Sequence, residues 1–432
     1  MLKKIILFKL KFLTKLILKK YHPKIIGITG SVGKTSAREA VFVALSSKFN
    51  VRRSLKNYNN ELGLPLSVIG AETPGKNIFG WLAIFFQAGR LIFFRDKNFP
   101  DILILEMGVD KVGDMDYLNS ITGCDVGVIT TIGATHLESF GSVEKIQKEK
   151  EKLLENLNKN GWAILNFDDE KTKALVRDSE MRVMTYGFKD GAEVRASNLL
   201  FKFKESKSLD NLLGLTFKVS YKGSMVPVIL PKVAGTAVVY AALAAIAVGL
   251  SFGLNLVEIA AALKIFDSPR GRMKLIPGIK HSLIIDDTYN SSPQSSIAAI
   301  DFISQIETDK PFRKVAVLGD MLELGAYSEE GHHAVGRSIA DAKFALVVTV
   351  GERSRDIDRG AKEAGLKEEQ IFHFPYNLEA GKFVQDRIKE GDLLLIKGSQ
   401  GARMEEIVKE LMAEPLKAEE LLVRQGKEWS RQ

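Results

Sequence analysis

A single cysteine in 432 residues, Cys124, leaves no partner for an internal disulfide and excludes a thiolate-rich metal site. That scarcity suits a reducing cytoplasm. No apolar run reaches the ~20 residues of a membrane-spanning helix, because lysines interrupt the N-terminal apolar residues every few positions. A small-residue cleavage site is also missing, which argues against a secretory signal. Acidic residues are absent from positions 1–24, which hold eight lysines. The whole chain has 61 Lys and Arg against 53 Asp and Glu, so outside those eight lysines the two signs balance. The net charge of +8 therefore belongs to a basic N-terminal arm, and no nucleic-acid partner is expected.

What is present is an ordinary globular composition, 45% apolar and 26% charged, long enough for two or three domains with sizeable cores. On a helix, Lys4, Lys11 and Lys15 of the arm share one face, and Leu2, Ile6, Leu13 and Ile17 gather opposite, with Lys9 and Lys20 intruding. This suits a basic amphipathic helix lying on an anionic membrane through residues 1–20, peripheral on the inner face of the cell membrane. The alternative is a helix docked on the protein's own body. Residues 78–94, aromatic-rich with only Gln87 and Arg90 strongly polar, read as a buried helix, a partner site or a second membrane-dipping surface, burial being the simplest.

From residue 24 strands and helices alternate. Residues 24–29, 102–106, 126–131 and 162–166 are short apolar strand candidates, and residues 34–47 form a helix. Residues 190–230 look like a β-rich excursion and 237–250 an alanine-rich buried helix. After residue 269 the alternation restarts, with strand candidates at 283–286, 315–318, 345–350 and 393–396. The expected architecture is α/β: an arm over 1–23, a parallel-sheet ATP-binding domain over 24–268 and a Rossmann-like domain over 269–432.

The first strand runs into Gly30-Ser31-Val32-Gly33-Lys34-Thr35-Ser36. Backbone N–H groups of such a turn, backed by a helix N-terminus, cradle polyphosphate. Lys34 would neutralise the β- and γ-phosphates and the Thr35 hydroxyl would reach Mg²⁺. The general phosphate-loop pattern has a further glycine where this chain has Ile28.

This variant loop is the form found in Mur ligases of bacterial cell-wall synthesis, and more segments resemble that family in the same order. They are residues 57–66 (Asn57 to Leu66), Leu105-Glu106-Met107-Gly108, residues 131–142 around His136, residues 286–293, residues 318–325 and Lys397-Gly398-Ser399. The resemblance spans about residues 24–410, and the branch that adds D-alanyl-D-alanine is the most similar. It implies an ATP-dependent amide ligase that activates a carboxylate as an acyl-phosphate. The expected substrates are a peptidoglycan-precursor peptide and a dipeptide or amino-acid amine. Catalysis would fall to Lys34, Glu106, His136 and Lys150. Thr35, Glu106, His136 and Lys150 would hold metal, with two Mg²⁺ ions expected. By its spacing from His136, Lys150 matches a lysine that many members carry as a carbamate, with Lys148 as the fallback. Arg272, Asp287 and Asn290 would contact the nucleotide. Asn59 and Asn60 would line the acceptor site, and Asp320, Glu323, Lys397 and Ser399 would hold the amine.

Two departures stand out. The loop begins only 27 residues into the chain, so the separate UDP-sugar domain with which the family normally opens is expected to be absent. Ala237, Val238 and Ala241 replace polar residues that in relatives contact adenine. The competing readings are a folylpolyglutamate-like or polyamide synthetase, and a non-catalytic membrane-associated ATP-binding scaffold.

Overall fold

The computed structural model describes residues 2–54, 58–133, 135, 137–178, 181–426 and 429. The chain forms two compact units, one of residues 1–198, 217–228 and 239–266, the other of residues 199–216, 229–238 and 267–432. The last division falls after residue 266, and two stretches of the β-rich excursion, residues 199–216 and 229–238, group with the second unit.

In the first unit β1 (Lys24–Thr29) lies at the centre of a parallel sheet. It is flanked by β3 (Ile102–Glu106) and β2 (Val51–Arg53) on one side. On the other side stand β4 (Cys124–Ile129), β5 (Leu157–Asn166) and β6 (Arg182–Gly187). The sheet continues through β7 (Val194–Phe203), β8 (Leu212–Tyr221) and β9 (Ser224–Pro231), giving the order β2-β3-β1-β4-β5-β6-β7-β8-β9. β1, β3 and β4 are almost wholly buried apolar strands, as expected where helices cover both faces. The chain leaves β1 for one side of the sheet and takes up the other from β4 on, so the loop after β1 sits at a topological switch point, where open α/β sheets bind ligands. Cys124, at the start of β4, is buried beside Gly27 of β1, and burial pushes its thiol up to about 12.

The arm forms helix α1 (Leu2–Tyr21). Leu10, Thr14 and Ile17, spaced one and two turns apart, are fully buried, and Ile6, Leu13 and Leu18 pack on the same core. Thus Ile6, Leu13 and Ile17, the side assigned to lipid from sequence, lie against the protein. α2 (Lys34–Ser46), α3 (Gly63–Ile69) and α4 (Ile78–Phe93) follow. Only Ile84, Ala88 and Leu91 of α4 are buried, so the simple burial expected of residues 78–94 holds for one face alone. α1 closes the end of α4: Lys20 Nζ donates to the carbonyls of Leu91 (2.9 Å) and Ile92 (2.8 Å), and Tyr21 Oη to those of Leu91 and Phe94 (both 3.1 Å). These bonds satisfy carbonyls that a helix terminus leaves without partners.

The second unit holds a six-stranded sheet, β10 (Lys274–Pro277), β11 (Leu283–Asp287), β12 (Lys314–Gly319), β13 (Leu346–Val350), β14 (Ile371–Phe374) and β15 (Leu393–Lys397). Its order is β10-β11-β15-β12-β13-β14, parallel except for β10 at the edge. β2, β6, β10 and β14 were not expected. They are short or polar, and β2 is only Val51-Arg52-Arg53.

Candidate active site

After Thr29 the chain turns through Gly30 and Gly33, at φ of 145° and 90°, before Lys34 opens α2. Only glycine suits Gly30, since the conformation is strained for other residues and a Cβ would overlap Thr130 Oγ1. The loop is tied to the chain beyond β4. Ser31 N–H donates to Thr131 O (2.8 Å), Val32 N–H to Thr131 Oγ1 (3.1 Å), and Thr130 Oγ1 to Val32 O (2.6 Å). Ser31 Oγ donates to Gly133 O and accepts from Gly133 N–H, both at 2.9 Å. Asn166, buried at the end of β5, steadies this frame through Thr130 O (2.9 Å). Lys34 Nζ lies across the loop on Gly30 O (2.6 Å).

Gly30→Ala is therefore expected to deform the loop while leaving the sheet intact. Positive φ alone costs an alanine ~1–2 kcal/mol, so kcat/KM for ATP should fall roughly tenfold or more. Steady-state ADP release would measure this, and unchanged kinetics would contradict the tight fit.

Thr35 Oγ1 stands 3.2 and 3.1 Å from the two carboxylate oxygens of Glu106, the buried last residue of β3. The structure thus brings together two of the residues singled out for metal. Arg38, three residues further along α2 and itself buried, donates to Glu106 Oε2 (3.2 Å) and pairs with Glu39. No sequence signal identified Arg38, because its partner is 68 residues away.

Helix α5 (Asp114–Asn119) and helix α6 (Val143–Glu155) supply the next group. Lys150 of α6 is only 2% exposed, whereas Lys148 points outward. Burial, and then the nearby Lys34 cation, push the Lys150 amine down to about 7, against the pull of Asp110 and Glu149. Lys34 and Lys150 therefore act on one another. Glu149, equally buried, accepts from Gly113 N–H (3.0 Å) and Met115 N–H (2.8 Å), so its carboxylate meets the positive N-terminal end of α5. His136 lies outside the described residues, as does Asn57. Among the described residues no group of three or more His, Cys, Asp or Glu converges as a metal site.

The two asparagines differ. Asn59 abuts the strand end, its carbonyl accepting from Gly108 N–H (2.7 Å). The Asn60 side chain accepts from Leu62 N–H (3.2 Å) and Gly63 N–H (3.0 Å), so it serves a turn at the start of α3. In the stretch that departs from the family pattern, Val238 and Ala241 are buried. Tyr240 donates to Asp168 Oδ2 (2.8 Å) and meets Phe188 edge-on (5.3 Å between centroids).

In the second unit the expected residues collect at the C-terminal edge of the sheet. Asp287 and Lys397 are register partners on β11 and β15 and form a buried ion pair (2.6 Å), with Lys397 also donating to Asn290 O (3.0 Å). Burial lowers the Lys397 pKa, opposed by Asp287. Ser399 Oγ accepts from Leu322 N–H (2.9 Å), and Asp320 Oδ1 from Ser354 N–H (2.8 Å). The Arg272 guanidinium sits 4.1 Å from the Tyr289 ring centroid. The Asn290 side chain and Glu323 are exposed, Glu323 at φ 62°. Two supports were missed from sequence. Buried His332 accepts Met321 N–H at Nε2 (2.9 Å) and donates from Nδ1 to Ser328 O (2.7 Å), which fixes the neutral tautomer and the loop after Asp320. Arg424 pairs with buried Glu405 (2.6 Å) and donates to Thr288 O (2.6 Å) and Tyr289 O (3.3 Å), holding the loop after Asp287.

A glycine loop opening a helix at a switch point, with a lysine and a hydroxyl–carboxylate pair beside it, has the features of a phosphoryl-transfer module. Comparison with known proteins narrows this class. The Mur ligase middle domain matches residues 89–249, and the Mur ligase glutamate ligase domain matches residues 271–400. The chain is 29% identical over 407 residues to the UDP-N-acetylmuramoyl-tripeptide–D-alanyl-D-alanine ligase of Bacillus subtilis, covering 94% of this chain and 80% of that protein. It is 30% identical over 390 residues to the Mycobacterium leprae enzyme of the same name, covering 87% and 71%. The crystal structure of MurF from Acinetobacter baumannii superposes with a TM-score of 0.75 at 27% identity, covering 92% of this chain and 79% of that one. The chain belongs to the Mur ligase family, and it is an ATP-dependent ligase that joins a carboxylate to an amine.

Proposed function

We propose that this ligase adds D-alanyl-D-alanine, or a similar amine, to the peptide of a UDP-linked peptidoglycan precursor, and that it works in the cytoplasm. The observation that carries the reading is the Thr35–Glu106 pair beside Lys34 and buried Lys150. It stands in a chain similar over most of its length to enzymes named for that reaction.

A carboxylate oxygen attacks the γ-phosphorus of ATP, forming an acyl-phosphate as ADP leaves. The amine nitrogen then attacks the acyl carbon, phosphate departs, and the nitrogen gives up a proton. Phosphoryl transfer asks chiefly for positioning and charge stabilisation. The N–H groups at the start of α2 orient the phosphates, those of Ser31 and Val32 being held by Thr131, and Lys34 offsets the charge shifting toward the leaving ADP. The Thr35 hydroxyl and the two Glu106 oxygens, within 3.2 Å of one another, form a hard-oxygen set that suits Mg²⁺ alongside nucleotide phosphates. Thr35, Glu106, His136 and a carbamylated Lys150 would hold the Mg²⁺ ions, which neutralise phosphate charge when bound. Asn59 is assigned to the acceptor side. In the second unit Asp320, Glu323, Lys397 and Ser399 are assigned to the amine, and Arg272, Asp287 and Asn290 to the nucleotide.

Purified protein would be screened with candidate peptide acceptors and dipeptides, with ADP release and product mass as readouts. ADP release that requires both a muramoyl-tripeptide acceptor and D-alanyl-D-alanine is the expected result. Turnover with folate and glutamate instead would favour the folylpolyglutamate-like alternative.

A further inference from the structure

α1 and α4 lie side by side and run in the same direction. Lys9 Nζ stands 5.8 Å from the Phe85 ring centroid, and Lys20 reaches the carbonyls at the end of α4. The inner faces of both helices enter one core, where Leu10 and Ile17 join Ile84, Ala88 and Leu91. The outer faces are apolar as well. On α4, Phe79 is 82% exposed, Phe86 77% and Phe93 82%, with Leu82 between them, all close to one helical stripe. On α1, Ile5, Phe8 and Phe12 point outward. Scattered exposed apolar residues are normal on a soluble protein, but a run of phenylalanines on adjacent helices marks an interaction surface.

The charges around these rings indicate what covers them. Lys4, Lys15 and Lys19 are exposed on α1, and Lys76, Arg90 and Arg95 are exposed at and around α4. The first acidic residue of the chain is Glu39, and none lies between Thr73 and Arg95. Two copies of this surface placed face to face would bring lysine against lysine, which disfavours self-association. A surface of apolar rings with cations in excess beside them, Glu61 paired to Lys3 being the acidic neighbour of α1, complements the interface of an anionic bilayer. There the rings enter the acyl boundary and the long cationic side chains extend to the headgroups. No described helix is long and apolar enough to cross a membrane, so the contact is peripheral.

We propose that the outward faces of α1 and α4 together form a membrane-docking surface for anionic lipid, in which the phenylalanines of α4 insert and the lysines of α1 supply the electrostatic attraction. The apolar stripe of α1 through Leu10 and Ile17 is not the lipid contact; it fixes the helix to the body and so gives the surface a rigid base.

The test is co-sedimentation of the full chain with phosphatidylcholine vesicles, with and without phosphatidylglycerol, in the absence of substrates. Binding to anionic vesicles should be strong at low salt and much weaker in 0.5 M salt by screening, roughly tenfold or more. A Phe79→Ser, Phe86→Ser, Phe93→Ser variant should bind roughly tenfold more weakly or worse, as should a Lys4→Glu, Lys15→Glu, Lys19→Glu variant. All six positions are exposed, so thermal melting by circular dichroism should match that of the parent chain. Absent binding at low salt overturns the proposal. Binding unchanged by the phenylalanine substitutions also overturns it, because the contact would then lie elsewhere. A lipid-free dimer that those substitutions dissolve, with no vesicle binding, would assign the surface to a second copy or another protein instead.

Discussion

Lys34→Ala is expected to lower ATP turnover by about three orders of magnitude or more, with the fold unchanged. The ammonium spans the phosphate loop from Gly30 O at 2.6 Å, so it already occupies the space beside the expected phosphates. No other lysine of the loop can replace it, since Lys34 is the only basic residue between Thr29 and Ala37. The fold should tolerate the change, because α2 is anchored by buried Ala37, Ala40, Val41 and Ala44, and alanine is the best helix former. Single-turnover ADP formation measures the loss, and circular dichroism checks the fold. A folded Lys34→Ala protein with near-normal ligation would remove the basis of the ATP-site assignment.

Lys150→Ala should cost activity by roughly a hundredfold or more, and Lys148→Ala almost nothing. A carbamate forms by attack of a neutral amine on CO₂. At pH 7 an ordinary lysine is neutral in only about one molecule in 3,000. Lys150, pushed down to about 7 by burial and by Lys34, is neutral in about half. Carbamylation would also turn the repulsion between Lys34 and Lys150 into attraction, against repulsion from Asp110 and Glu149. Activity should accordingly fall as pH drops through about 7, and added bicarbonate should oppose the fall. The folded amine binds fewer protons than the unfolded one between about pH 7 and 10.5, so this group makes the fold more stable as pH rises through that window. The readouts are kcat for both variants and a ¹³C-bicarbonate signal that disappears in Lys150→Ala. Equal behaviour of the two variants would end the assignment.

The contrast between Lys150 and Lys148 also indicates how legible the site was. The phosphate loop and Glu106 could be read because their chemistry demands certain residue types at strand ends, and local spacing reports that directly. α6 looked like a K/E-rich solvated helix, yet its buried positions are Ile146, Glu149, Lys150, Leu153 and Leu154. A Glu–Lys pair on the apolar stripe of a helix was a usable signal, visible through the 3.6-residue period. Arg38, His332 and Arg424 gave no such signal, because each acts by holding a group distant in sequence. Among the elements, the apolar strands at the sheet centre were plain, whereas β2 and β6 owe their conformation to neighbours rather than to their own residues. For α1, amphipathicity revealed a helix but could not tell lipid from protein as the apolar medium, since both reward the same stripe.

Cys124 has a practical consequence. Its sulfur is sealed in the sheet core and its thiol is pushed up to about 12, so at neutral pH it presents almost no thiolate to alkylating reagents. The native chain is thus nearly silent toward maleimide chemistry. A pair of cysteines introduced on the surface, one in each unit, would take up fluorophores or spin labels without background, and the separation of the two units could be followed as nucleotide, acceptor and amine are added in turn.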